Sequence, residues 1–224
     1  MKYRREWKHP LNYSDYLTLR QRLRVVLSPD PDGGPEGKYC IRSLYFDDPR
    51  DTALFEKLDG VNRREKFRIR CYNGDPSLIR LEKKSKVDSL CSKQSALLTP
   101  EQTEKILLGR TDWAAVNSPP LVREFARKCT DKGLLPKTIV EYTREAYVFP
   151  AGNVRVTLDY DLRTGLQPRD FLRPDCPTLP AGDSSYLLEV KYDQFLPSIV
   201  RDAVQLPGRR ASAFSKYAQC RLYG

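Results

Sequence analysis

Arg64-Glu65-Lys66-Phe67-Arg68-Ile69-Arg70-Cys71-Tyr72 is the stretch on which the fold of this chain turns. Charged and apolar residues alternate with a period of two, the pattern of a β-strand whose faces differ. Arg64, Lys66, Arg68 and Arg70 fall on one face; Phe67, Ile69 and Cys71 fall on the other. The same alternation recurs outward in both directions. Residues 79–86 set Arg80, Glu82, Lys84 and Lys86 against Ile79 and Leu81. Residues 154–160 set Arg155, Thr157 and Asp159 against Val154, Val156, Leu158 and Tyr160. Residues 186–193 set Glu189 and Lys191 against Tyr186, Leu188, Val190 and Tyr192, and an N-terminal strand sets Arg4, Glu6 and Lys8 against Tyr3, Arg5 and Trp7.

Helical stretches interleave with these strands. One is expected over about 13–27, with Tyr16, Leu19, Leu23 and Val26 on one stripe and Ser14 as its cap. A short one follows Asp48-Pro49, and Thr99-Pro100-Glu101-Gln102 reads as a capping box opening another. Further helices are expected over about 118–131, 198–205 and 212–222. Two Pro/Gly-rich stretches, 29–37 and 167–184, read as loops, the first as a mobile one. Many short strands with scattered helices make the fold class α+β and mainly β, dominated by an antiparallel sheet. A chain of 224 residues suits one domain over 1–224.

A charged strand face needs no function if it simply faces water. Here the bias towards cations argues for more. Two like charges ~6 Å apart repel by about 3 kcal/mol at an effective dielectric of about 20. Screening makes that tolerable on an open surface, whereas in a closed barrel it calls for anions. A closed antiparallel β-barrel with a cationic interior and peripheral helices over its apolar outer face is therefore expected, with an anionic ligand inside. Glu6-x-Lys8, Glu82-x-Lys84 and Glu189-x-Lys191 each place a carboxylate beside an ammonium on one face. Carboxylates among cations pair with them or hold a hard divalent metal, and Lys and Arg grip phosphate oxygens. Phosphoryl transfer needs little else, because positioning and charge neutralisation carry the catalysis.

Composition removes other chemistries. The formal net charge is +10, which attracts polyanions. His9 is the single histidine, read as a surface residue at a strand end; this excludes a histidine-rich metal site and argues against Ser-His-Asp or Cys-His catalysis. Cys40, Cys71, Cys91, Cys129, Cys176 and Cys220 make no CxxC pair, which fits reduced thiols in a cytoplasmic protein. The charged start MKYRREWKHP is no signal peptide, and no apolar run reaches transmembrane length. Aromatic platforms on the charged faces would favour RNA, but only Tyr72 and Tyr142 are placed there, so no specific nucleic acid is expected.

At these residues the chain resembles the VTC domain, the catalytic domain of the vacuolar transporter chaperone polyphosphate polymerases, within the triphosphate tunnel superfamily that includes the CYTH triphosphatases. The resemblance rests on Ser43-Leu44-Tyr45-Phe46-Asp47, Lys66-Phe67-Arg68-Ile69-Arg70, Leu81-Glu82-Lys83-Lys84 and Tyr142-Thr143-Arg144-Glu145-Ala146-Tyr147. It continues through Arg155-Val156-Thr157-Leu158-Asp159, Leu188-Glu189-Val190-Lys191 and Phe214-Ser215-Lys216-Tyr217. It implies a tunnel of about eight strands. Lys8, Arg68, Arg70, Lys84, Arg144, Arg155, Lys191 and Lys216 would be the catalytic phosphate grip. Lys66, Arg80, Glu82 and Lys86 would assist in binding, and Glu189 would hold Mn²⁺ or Mg²⁺. The implied reaction transfers the ATP γ-phosphate to a growing inorganic polyphosphate chain, and pyrophosphate and triphosphate are further implied ligands. Eukaryotic members also carry an SPX domain and membrane helices, which this sequence does not show, and a membrane-associated partner protein is among the expected partners. An inorganic triphosphatase or nucleotide phosphohydrolase of the same fold is the alternative, and a non-catalytic binder of RNA or polyphosphate is a third. The CYTH signature Glu-x-Glu-x-Lys reads Arg4-x-Glu6-x-Lys8 here. Exchange of the first carboxylate for a cation removes a metal ligand, adds an expected phosphate contact, and leans towards single-metal transfer.

Overall fold

The computed structural model describes residues 4–34, 36–88, 90–115, 117–182, 186–208 and 213–222. The alternating stretches are strands. In chain order the strands are β1 (Arg5–Leu11), β2 (Ser28–Pro29), β3 (Lys38–Asp47), β4 (Arg63–Tyr72), β5 (Asp75–Val87), β6 (Leu90–Leu98), β7 (Leu135–Phe149), β8 (Val154–Gly165), β9 (Thr178–Pro180) and β10 (Tyr186–Tyr192). They make one antiparallel sheet in the order β1-β10-β8-β7-β3-β4-β5-β6, with β2 added to β7 and β9 to β8. Asn73 and Gly74, both at positive φ, form the two-residue turn between β4 and β5. A register shift between Arg70 and Tyr72 follows the turn, and beyond it Arg68 lies opposite Glu82 and Lys66 opposite Lys84.

The expected closed barrel is met by a sheet that curls without a closing ladder. Its end strands touch at one isolated bridge, Arg4–Cys91, and no continuous β1–β6 pairing follows among the described residues. A side chain makes the other contact across this seam: Lys84 Nζ of β5 lies 3.6 Å from Glu6 Oε2 of β1. Tyr3, expected on β1, lies outside the described residues.

The helices are α1 (Tyr13–Val26), α2 (Thr52–Leu58), α3 (Pro100–Leu107), α4 (Pro120–Lys132), α5 (Ser198–Val204) and α6 (Lys216–Leu222). Asn12, not Ser14, caps α1, through a reciprocal box with Asp15. The helix starts at Tyr13, so only Asn12 precedes its free N–H groups. Thr99 and Gln102 form the expected box on α3, and Gly133 at φ 66° ends α4. The expected 212–222 helix is observed from Lys216; residues 211–212 lie outside the described set.

Apolar strand faces point outward beneath helices, as the alternation requires. Leu44, Phe67, Ile69, Ile79 and Leu81 pack with Ile106 of α3 and Phe125 of α4. Val154, Val156, Leu158, Leu188 and Val190 pack with Leu19 and Leu23 of α1 and Val200 of α5. A third cluster lies on the inner side, where Tyr45, Val140 and Tyr142 meet Tyr217 and Ala218 of α6. No helix among the described residues is long and apolar enough to cross a membrane.

Both expected loops carry structure. Asp30 in the first is buried, donates its N–H to the Ala146 carbonyl and pairs with Arg155, so this part of the stretch is pinned rather than mobile. The second includes β9 and the fully buried Phe171. His9 is half-buried within β1, opposite Leu188, rather than at its end. All six cysteines are free, and Cys71 and Cys220 are buried.

Candidate active site

The β4–β5 hairpin supplies the first part of the site. Arg68 Nε and Nη2 lie 2.7 and 2.6 Å from Glu82 Oε2, and Lys93 Nζ from β6 lies 3.1 Å from Oε1. Burial disfavours the Glu82 carboxylate, but Arg68, Arg70 and Lys93 outweigh it and hold the group well below the usual carboxylate range. Glu82 is 1 % exposed, so these cations use its oxygens. Glu82, expected to assist in binding, stands here as the carboxylate that pairs with Arg68 and Lys93. Arg70 donates from Nε to Ser43 Oγ at 3.0 Å and stands 3.9 Å from Glu82.

The second part comes from β1, β7, β8 and β10. Antiparallel register aligns Lys8 with Glu189, Glu189 with Thr157, and Arg144 with Asp159. Glu189 lies 3.2 Å from Lys191, 3.4 Å from Arg144 and 3.7 Å from Lys8. Burial opposes its charge, and Lys191, Glu6, Lys8 and Arg144 together hold its pKa well below the usual value. Asp159 accepts both Arg144 bonds, at 2.6 and 2.8 Å, and the Lys216 ammonium of α6 at 2.6 Å. Glu6 joins the two parts, 2.8 Å from Lys8 and 3.6 Å from Lys84.

Cations exceed what these carboxylates absorb. Burial drives the Lys66 ammonium down to about 8, with Tyr45 opposing and Lys84, Arg68 and Lys8 adding to the fall. Burial likewise brings Lys191 down to about 8, Glu189 opposing and Lys84 assisting. An anion entering this space would relieve both.

The structure thus brings Lys8, Lys66, Arg68, Arg70, Lys84, Arg144, Glu189, Lys191 and Lys216 around one interior. Arg155 stands towards its edge, bound to Asp30 at 2.6 Å and Tyr39 at 2.8 Å. Arg80 and Lys86 share the inner face of β5, half-buried and without an ion pair among the described residues. Arg4 departs from expectation. Its guanidinium is turned to Asp193, at 3.0 Å, and to the Asn153 carbonyl, rather than to the other interior cations. Asp159 and Tyr45 are central but not singled out by charge alternation. Asp159 reads as one more polar residue on β8, and the inner face of β3 (Tyr39, Ile41, Ser43, Tyr45) carries no charge. Tyr72 and Tyr142 join this inner cluster as expected, and Tyr39, Tyr45 and Tyr217 add to its aromatics.

Could these residues hold a divalent cation? Among the described residues, no group of three or more His, Cys, Asp or Glu is placed to do so. Two neighbouring carboxylates, Glu189 and Glu6, are in contact, and the buried Thr157 Oγ1 beside Glu189 has no hydrogen-bond partner. Hard cations of the Mg²⁺ type take one or two carboxylates and complete their shell with phosphate oxygens and water. The donor set fits a cation that arrives with phosphate.

No curated protein matches the chain in sequence. Solved structures share its fold at low identity. A Hippeastrum protein assigned as an adenylyl cyclase and described as having a dominant triphosphatase activity has a TM-score of 0.56 at 16% identity, covering 99% of this chain and 95% of its own. A Bacillus halodurans protein assigned as an adenylate cyclase has a TM-score of 0.52 at 13% identity, covering 85% and 80%. A Pyrococcus horikoshii OT3 protein has a TM-score of 0.52 at 11% identity, covering 99% of each chain. These likenesses show that the chain shares the fold of those structures. The VTC domain model matches residues 3–223, nearly the whole sequence, and this chain belongs to the VTC domain family.

Proposed function

We propose that the curled sheet is a tunnel in which the γ-phosphoryl group of ATP is transferred to an inorganic polyphosphate chain. The observation that carries this reading is the interior surplus of cations: Lys66 makes no ion pair among the described residues while every inner carboxylate is already paired. Such an interior is short of anions by construction, and a polyphosphate supplies them in a line.

The residues divide the work. Arg144, clamped by Asp159 and Glu189, and Arg70, held by Ser43, present fixed guanidinium edges to phosphate oxygens. Lys8, Lys84, Lys191 and Lys216 add ammonium groups that neutralise charge on the transferring phosphoryl. A terminal oxygen of the polyphosphate chain attacks the γ-phosphorus, the bond from that phosphorus to the bridging oxygen breaks, and ADP leaves. The acceptor is an oxyanion, so no general base is required. Glu189 and Glu6 would hold Mn²⁺ or Mg²⁺, which supplies polarisation of the phosphoryl oxygens when bound. Arg155 and Lys86, nearer the ends of their strands, and Arg80 would contact phosphates outside the reacting centre.

Triphosphate hydrolysis is the second reading, favoured by the triphosphatase activity described for the Hippeastrum fold relative. The single carboxylate of Arg4-x-Glu6-x-Lys8 argues for transfer instead, because two-metal hydrolysis calls for more ligands. Incubation with ATP and Mn²⁺, followed by product sizing on a gel, separates them. A ladder of chains supports the polymerase. Orthophosphate alone would assign hydrolysis, and ATP left intact would overturn both.

A further inference from the structure

The hydroxyl of Tyr45 lies against Arg68, one of the expected phosphate-gripping residues. It accepts from Arg68 Nη1 at 2.8 Å, on the third nitrogen of a guanidinium whose other two face Glu82. The Lys66 ammonium stands 5.3 Å from the Tyr45 ring centre and makes no ion pair among the described residues. The ring is stacked on Tyr217 at 4.9 Å and is 5% exposed, so it cannot turn away to solvent.

The groups facing this hydroxyl are almost all cationic. Lys66, Arg68 and Arg70 come from β4 and Lys8 from β1. Glu82 of β5 acts through Arg68, Lys84 acts through Lys66, and α6 offers the neutral Tyr217 ring. From β7, Thr138 lies opposite Tyr45 in the ladder. Burial alone would raise a phenol here, but Arg68, Lys66 and Arg70 outweigh it and bring the group down to about 7.

We propose that Tyr45 is the interior's own counter-anion: its phenolate oxygen occupies Arg68, and its charge balances the nearby Lys66, while the site holds no phosphate. When a polyphosphate chain enters, Tyr45 takes up one proton from solvent and releases both cations to the phosphate oxygens. Tyr45 is then a positioning residue that couples polyanion binding to proton uptake, and the inference rests on the phosphate reading of this same interior.

The sign follows from linkage. A group that gains a proton on binding makes binding weaker as pH rises above its ligand-free pKa, by up to about tenfold per pH unit for one proton. Other tyrosines do not obscure the signal, because burial pushes Tyr16, Tyr39, Tyr147, Tyr160, Tyr186 and Tyr217 upward instead.

The test is a tyrosinate titration by near-ultraviolet absorbance on the whole chain, with and without inorganic tripolyphosphate, and calorimetry to confirm binding. One tyrosine is expected to ionise near neutrality in the free protein. Tripolyphosphate should move that transition up by about one pH unit or more, and Lys66→Met should raise it without ligand. A free protein with no tyrosinate until the ordinary phenol range, or a near-neutral transition that bound tripolyphosphate leaves in place, would overturn the inference alone. Absence of tripolyphosphate binding would overturn the phosphate reading and the inference with it.

Discussion

The Lys216 ammonium, carried on the first residue of α6, lies 2.6 Å from the Asp159 carboxylate of β8. The same carboxylate clamps Arg144, so a helix outside the sheet's hydrogen bonding helps to set the orientation of an interior guanidinium.

Lys216→Met should therefore loosen α6 and lower transfer together. A hydrogen bond to a charged group contributes about 1.5–3 kcal/mol, and Asp159 keeps Arg144, so the loss of stability should fall at the lower end. Thermal unfolding and ATP turnover check this; a variant with both unchanged would place Lys216 outside the site.

Glu189→Gln keeps the shape and removes the charge. Transfer should fall steeply and the Mn²⁺ concentration needed for half-maximal activity should rise. Chelation of the wild type should stop turnover without lowering the melting temperature, because Lys8, Lys191 and Arg144 already neutralise Glu189. Full activity of Glu189→Gln at unchanged Mn²⁺ dependence would refute the metal assignment.

Arg68 and Arg70 should separate in stability while both matter to transfer. Arg68 contacts Glu82 at 2.6 Å, whereas Arg70 stands 3.9 Å away and is tied to Ser43. Arg68→Ala should cost about 1–3 kcal/mol in urea unfolding, Arg70→Ala less. Each should cut transfer by roughly a hundredfold or more, as removal of a charge-stabilising donor does. If Arg70→Ala weakens the fold as much as Arg68→Ala and leaves turnover intact, Arg70 belongs to the scaffold.

Acid should unfold the chain through its inner carboxylates. Glu82, Asp159 and Glu189 have folded pKa values below their unfolded ones. Their contribution is fully present above the unfolded carboxylate range, about 4, and is lost as pH falls through the folded values. The melting temperature should drop below about pH 4, and Glu82→Gln should flatten that slope while lowering the plateau. An unchanged slope in Glu82→Gln would show that the acid transition lies elsewhere.

Much of this arrangement is legible from period two alone. Strands β1, β4, β5, β8 and β10 each concentrate their charge on one side, and the cations of those sides meet as the alternation demands. Strand β3 escapes that reading because Tyr39, Ser43 and Tyr45 are uncharged, although they face the same interior. Strand β6 escapes it because Cys91-Ser92-Lys93-Gln94-Ser95 is polar on both faces. Lys216 sits on a helix, where strand phase is silent, and only the resemblance points to it. Arg4 shows the opposite failure: charge and phase fit, but Asp193, distant in sequence, has already claimed the side chain.

The pairing of residue 5 with residue 192 has a kinetic consequence. Among the described residues strand β1 has its ladder only with β10, so that ladder waits for nearly the whole chain before it can form. Closing so long a loop is an entropic toll that falls on the folding transition state, and chains rich in distant contacts fold in milliseconds to seconds rather than microseconds. Lys8 and Glu6 ride on that strand. Refolding followed by a probe near Lys8 should therefore lag behind one in the β4–β5 hairpin, whose partners are joined by a two-residue turn, and catalytic competence should return with the slower phase.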